Sequence, residues 1–229
     1  MEIKKLAETI TGNGNFILYG SSGSGKTYSI STLPPKTLIL SSEKGLRTLV
    51  DISPDIDVAD VNTVEDLREI HEFLETTDAY DVVVIDSLSE VGEMALLEAK
   101  EKTRDGRLSY GMMAETIAGL IKAYNDLPQT VIFIAQEERV AQEGLNQVDH
   151  LYAPSIPGKS FMSKIPFKFD YVFCLRTKFD DEGLTVRAFQ TGPDGVYLAK
   201  ARTQRLDQME EADWASIFNK LATAPTKGE

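Results

Sequence analysis

The stretch FILYGSSGSGKT, Phe16 to Thr27, decides how this 229-residue chain is read. Four residues of apolar strand run straight into G-x-x-x-x-G-K-[ST], complete as Gly20, Ser21, Ser22, Gly23, Ser24, Gly25, Lys26 and Thr27. A strand before this pattern and a helical segment after it are the context in which it marks a phosphate-binding loop. Glycines let the backbone curl until its N–H groups point inward at phosphate oxygens, and the positive end of the following helix adds to them. Lys26 is expected to reach the β- and γ-phosphates, and Thr27 to offer its hydroxyl to Mg²⁺. The plain alternative is a flexible Gly/Ser turn, which would not require strand, spacing, Lys and Thr together.

Outward from the loop, FILY (16–19), TLIL (37–40), IDVADV (56–61), DVVVID (81–86) and TVIFIA (130–135) read as strands. Several are apolar at consecutive positions, as parallel strands covered on both faces are. Helical periods lie between them. VEDLREIHEFLE places Val64, Leu67, Ile70 and Leu74 on one face behind an N-cap at Asn62 or Thr63. Ser87 and Glu90 form a capping-box pattern before the next helix, and Met113, Ile117, Leu120, Ile121 and Tyr124 stripe a third. The alternation predicts one α/β domain over residues 1–229, with a mostly parallel central sheet and helices on both faces.

After Gln136 the period is lost, and residues 137–169 are expected to be a long mobile loop. Strands resume at YVFCLR (171–176), LTVRAF (184–189) and GVYLAK (195–200), the last behind an Asp194-Gly195 turn. A C-terminal hairpin is therefore expected, followed by an amphipathic helix carrying Trp214, Ile217, Phe218 and Leu221. Residues 223–229 read as a frayed tail.

Composition removes several classes of function. No apolar run approaches the roughly 20 residues of a membrane span, and the N-terminus lacks the apolar core of a secretory signal. Cys174 is the only cysteine, so no internal disulfide forms, and a reducing cytosol is the expected compartment. Its plain reading is a buried thiol in YVFCL. The net charge of −12 disfavours a surface that grips nucleic acid by bulk charge, though not a locally basic groove. His71 and His150 have no metal-ligand spacing, so no metal site made only of protein groups is expected.

Three polar residues stand at strand ends. Asp86 ends DVVVID, where a carboxylate can hold Mg²⁺ across from Thr27; the alternative is a helix cap. Glu43 follows TLILSS, and a charge there is costly without a partner or a task. At the end of a strand beside the phosphate-loop strand it would face the γ-phosphate and orient the attacking water. A surface glutamate in a strand–helix turn is the plain alternative. Gln136 ends TVIFIAQ, either as a γ-phosphate sensor or as a solvated strand terminus. Ser-Leu-Ser after Asp86 leaves no D-x-x-G switch, and Asn146 to Asp149 lacks the lysine of a guanine-reading N-K-x-D. The segment after Gln136 holds only Arg139, against the arginine-rich lid of a small-molecule kinase.

In series, GSSGSGKT, SSEKGL, DVADVNTVEDL, VVVIDSLSEV and VIFIAQEER resemble the RecA-like ATPases over residues 16–139. The resemblance is closest to the short phage RecA-like single-strand annealing and recombination proteins of the Sak group, an AAA-type phage nucleotide-binding domain. It implies Glu43 as catalytic carboxylate, Asp86 as the metal-side aspartate and Gln136 as the sensor. It also implies a ring or filament in which a neighbour's Lys200 and Arg202 reach the ATP; a basic hairpin end is the alternative for that pair. Loops at 103–110 and 138–169 would bind single-stranded DNA, with a single-strand-binding protein as a further partner, in a bacterial host cytosol.

The residues themselves add to this. KSFMSKIPFKF, Lys159 to Phe169, combines Lys159, Lys164 and Lys168 with Phe161, Phe167 and Phe169 and has no acid. Cations for phosphates and aromatic faces for bases are what single-strand binding uses. Packing of the phenylalanines onto the core is the alternative. Arg104, Arg107 and Tyr110 form a smaller patch of the same kind. A competing class is a nucleotide-switched regulatory or scaffold ATPase whose aromatic segment docks a protein.

Overall fold

The computed structural model describes residues 14–43, 45–53, 55–143, 148–158, 164–180 and 182–223. Strand β1 (Asn15–Gly20) leads through the phosphate loop into α1 (Lys26–Ser29), a single turn that continues as a 3-10 turn at Ile30–Thr32. Then come β2 (Thr37–Ser41), a 3-10 turn at Leu46–Leu49, β3 (Asp57–Asp60), α2 (Val64–Leu74), β4 (Val82–Asp86), α3 (Leu88–Lys102) and α4 (Gly106–Asn125). The second half holds β5 (Thr130–Glu143), β6 (Val148–Ser155), α5 (Ile165–Lys168), β7 (Tyr171–Phe179), β8 (Thr185–Gln190), β9 (Lys200–Ala201), β10 (Met209–Glu211) and α6 (Trp214–Ala222).

All the strands join one sheet, ordered β10-β8-β7-β1-β5-β4-β2-β3, with β6 on β5 and β9 on β7. The six strands from β7 to β3 run parallel, and β8, β10, β6 and β9 are antiparallel additions. Alternate residues of each central strand feed opposite faces. Ile17, Tyr19, Leu40, Ile85 and Phe133 pack with Leu67, Leu96, Ile117 and Tyr124 of α2, α3 and α4. Phe16, Leu18, Ile39, Val84 and Ile134 pack with Ile30, Leu49 and the α6 residues Trp214, Ile217 and Leu221. The mostly parallel sheet, the helices on both faces and the closing hairpin and helix are as the sequence predicts. Among the described residues no helix is long and apolar enough to cross a membrane.

Four expectations are corrected. Residues 137–143 and 148–155 are not loop: β5 runs on past Gln136 and pairs antiparallel with β6 from Gln136↔Ser155 outward. EERVAQE after Gln136 and VDHLYAPS in β6 hold no sustained apolar period to read. Second, β2 is not beside β1, because β5 and β4 lie between them. Third, GVYLAK is no strand along its length; only Lys200–Ala201 pairs with β7, and Tyr197 makes a lone bridge to Tyr152. Fourth, Ser87 caps α3 by accepting from the Glu90 N–H at 3.3 Å, but its own N–H donates to Ser42 Oγ rather than to Glu90. The complete capping box is at Thr63, whose hydroxyl accepts from Asp66 N while the Asp66 carboxylate accepts from Thr63 N. The tail expectation for 224–229 and the N-terminal reading for 1–13 fall outside the described residues.

Candidate nucleotide site

The phosphate loop turns on two glycines in the left-handed region, Gly23 (φ 75°) and Gly25 (φ 101°), a conformation that side chains resist. With α1 only one turn long, few peptide dipoles line up behind the loop, so its attraction for an anion rests on backbone N–H groups and Lys26. Lys26 Nζ donates to the carbonyls of Gly20 (2.7 Å) and Ser21 (3.0 Å), which holds the ammonium over the loop. Burial lowers its pKa, against the opposing pull of the Asp86, Glu43 and Glu137 carboxylates.

Asp86 is buried at the end of β4, and Thr27 Oγ1 donates to its Oδ2 at 3.1 Å. Burial raises its pKa to about 6, with the Glu43 charge adding and the Thr27 hydrogen bond and Lys26 opposing. The Asp86–Ser87 peptide bond is cis. Two backbone donors, Ser42 N (2.8 Å) and Glu43 N (3.2 Å), bond the Asp86 carbonyl and stitch the end of β2 to the end of β4. That seam aims Glu43 inward. Its Oε1 accepts from Ser87 Oγ at 2.5 Å and from Gln136 Nε2 at 3.1 Å. Glu43 thus has the partners its position demanded, although two strands separate β2 from β1. Gln136 is anchored in turn: its N–H donates to Ser89 Oγ (2.9 Å), and Ser89 Oγ donates to the Ser155 carbonyl of β6 (2.6 Å).

Lys26, Thr27, Glu43, Asp86 and Gln136 line one cavity of about 600 Å³, within the range of small-molecule sites. The donor set fits a nucleotide and Mg²⁺. Thr27 and Asp86 supply a hard-oxygen pair, and Ser24 Oγ, in the loop itself, is buried without a hydrogen-bond partner. Glu137 and Arg187 also line the cavity, and neither was expected there. Glu137 is the neighbour of Gln136 in a stretch expected to be loop, and burial raises its pKa against the pull of Arg176 and Lys26. Arg187 is a lone cation within LTVRAF; only the sheet order, which puts β8 two strands from β1, brings it to the loop.

The remaining predicted residues lie elsewhere. Lys200 Nζ donates to the carbonyls of Pro166 (2.5 Å) and Phe169 (2.8 Å), and Arg202 pairs with Asp170 at 2.8 Å. β9 meets β7 at Tyr171 and Val172, which are level with Phe16 and Ile17 of β1. Both cations are therefore at the end of the sheet opposite the phosphate loop. Arg104 is exposed between α3 and α4, but the expected loop at 103–110 is helix from Gly106 onward behind an Asp105 N-cap, so exposed Arg107 and Tyr110 stand in the first turns of α4. Lys164 is exposed and Lys168 half-buried on α5, where the Lys168 carbonyl accepts from Asn125 Nδ2 at the end of α4. The two basic patches thus sit at opposite ends of a 20-residue helix, about 30 Å apart. Phe169 is buried in the core, as the packing alternative has it, while Phe167 is 79% exposed. Lys159 and Phe161 lie outside the described residues.

The AAA domain family (AAA_24) matches residues 13–203. Among solved structures, the chain is similar to a KaiC-like protein from the hyperthermophilic archaeon Pyrococcus horikoshii OT3, at 14% identity and a TM-score of 0.45, over 78% of this chain and 77% of that one. No curated protein matches.

Proposed function

This chain belongs to the AAA domain family of phosphate-loop ATPases, and from that premise we propose that it is a Mg²⁺-dependent ATPase that grips single-stranded DNA. The proposal follows the resemblance to the short RecA-like annealing and recombination proteins of phages. Lys26 and the loop N–H groups bind the triphosphate, and Thr27 and Asp86 hold the ion. Held by Thr27 and Asp86, Mg²⁺ would supply charge neutralisation for the phosphoryl transfer. Glu43 orients the attacking water and takes its proton, with Ser87 and Gln136 fixing the carboxylate.

The observation that supports a response to nucleotide outside the cavity is the double duty of β5. Gln136 touches Glu43, and the same strand then continues without a break into the antiparallel pair with β6. A change in what Gln136 bonds is thereby passed to the β5–β6 hairpin. DNA contacts are assigned to Arg104 and Arg107 with Tyr110, and to Lys164 and Lys168 with Phe167. Because these patches lie about 30 Å apart on one chain, a strand bridging several subunits of a ring or filament fits them better than a single groove. In that assembly Lys200 and Arg202 serve a neighbour's site, exchanging their present partners for its phosphates.

Filter binding of labelled single-stranded oligonucleotide, with and without ATP, tests the reading. Binding should be nucleotide-dependent and weaken with salt, and replacing Arg104 and Arg107 together by alanine should flatten the salt dependence. ATP turnover with no DNA binding at any salt concentration would replace this reading by that of a nucleotide-switched ATPase acting on protein.

A further inference from the structure

Arg187 is the one cation at the cavity that neither the sequence pattern nor the proposed reaction uses. It pairs with Thr177 in the β7–β8 ladder, two residues beyond Leu175, whose carbonyl closely approaches Gly20. This register carries its side chain past the end of β1 and onto the loop. Arg187 Nε donates to the Ser24 carbonyl at 3.1 Å, and a Cβ placed on Gly25 would meet Nε at 2.5 Å. The guanidinium carbon stands 5.1 Å from the centroid of the exposed Tyr28 ring, within cation–π range. The arginine therefore lies across the glycine turn itself.

Its partners are uncharged. Arg68, Arg176 and Arg202 each meet a carboxylate, at 2.5, 3.8 and 2.8 Å, whereas among the described residues Arg187 has no ion pair. A neutral carbonyl is a weak partner for a guanidinium, whose planar fork matches the oxygens of a phosphate. We propose that Arg187 is a phosphate-binding residue supplied in cis, exchanging the Ser24 carbonyl for the polyphosphate of a nucleoside di- or triphosphate. The inference rests on the nucleotide reading of the cavity and adds to it. The chain carries its own arginine for the phosphates, independent of any cation lent by a neighbour.

The test measures binding of fluorescent ATP and ADP analogues to Arg187→Ala, Arg187→Lys and Lys26→Ala, with thermal melting as a check of folding. Arg187→Ala should weaken both nucleotides roughly ten- to hundredfold, as loss of a charge-assisted hydrogen bond does, and Arg187→Lys should recover part of that loss. Mixing Arg187→Ala with Lys26→Ala subunits should restore nothing, because the arginine and the loop must belong to one chain. Wild-type affinity in a folded Arg187→Ala protein, with binding lost in Lys26→Ala, overturns the role of Arg187 and leaves the nucleotide site standing. Restoration on mixing overturns the assignment in cis. Wild-type affinity in Lys26→Ala removes the nucleotide reading of the cavity and this proposal with it.

Discussion

Glu43 shows what a carboxylate at a strand end requires. It has two side-chain donors, and both come from residues that are themselves fixed: Ser87 caps α3, and Gln136 is tied to Ser89. A group held this rigidly can orient a water, so Glu43→Gln should bind ATP within a few fold of wild type and hydrolyse it at least a hundredfold more slowly. Phosphate release beside a nucleotide titration checks this, and normal turnover would remove Glu43 from the chemistry. Asp86 makes a second prediction. Burial raises its folded pKa from 3.8 to about 6, so folding disfavours the ionised form. The stability this group contributes is full below about pH 4 and is lost as pH rises through about 6. Asp86→Asn should therefore stabilise the nucleotide-free protein at pH 7 by up to about 3 kcal/mol, with the gain fading toward pH 4 in urea titrations. The same variant should lose the extra stabilisation that Mg²⁺ and ATP give together. A carboxylate kept at a cost to the fold is the mark of a binding role rather than a structural one.

Among the elements, α2 is the most self-contained. Its N-cap at Asn62 or Thr63 and its stripe of Val64, Leu67 and Leu74 were plain in the sequence, whereas the capping box that Thr63 closes with Asp66 was not, the expected one being at Ser87 and Glu90. Thr63→Ala should cost about 1 kcal/mol in chemical denaturation and leave ATP turnover unchanged, since α2 does not line the cavity. The parallel strands were equally legible, because burial on both faces writes itself as consecutive apolar residues. The β5–β6 hairpin was not: GluGluArg after Gln136 carries no apolar period, and what makes it a strand is pairing with a partner more than ten residues away. The phosphate loop, Asp86 and Glu43 were legible because each stands at or just past the end of an apolar strand, and Gln136 because it closes an apolar run, although β5 continues beyond it. Arg187 and Glu137 were not, because their place depends on sheet order and on how far β5 extends, which no local spacing encodes. Lys200 and Arg202 could be named from spacing, but spacing could not show which end of the sheet they occupy.

At the scale of the molecule, the two faces of the sheet have separate work. One buries α2, α3 and α4; the other is sealed by α6, which lies beyond the residues matched by the family. Trp214 is the centre of that seal, stacked on Phe173 and edge-on to Phe16 of β1. Trp214→Ala should cost about 3–5 kcal/mol in denaturant unfolding, the usual toll of emptying so large a core site. The same indole reaches the nucleotide end. Its Nε1–H donates to Ser29 Oγ at 3.3 Å, and Ser29 Oγ donates to the Lys26 carbonyl at 2.7 Å. Being the chain's sole tryptophan, Trp214 is a native optical probe wired to Lys26 of the phosphate loop. Titrating ATP should shift its emission without any added dye, and Ser29→Ala should mute that signal.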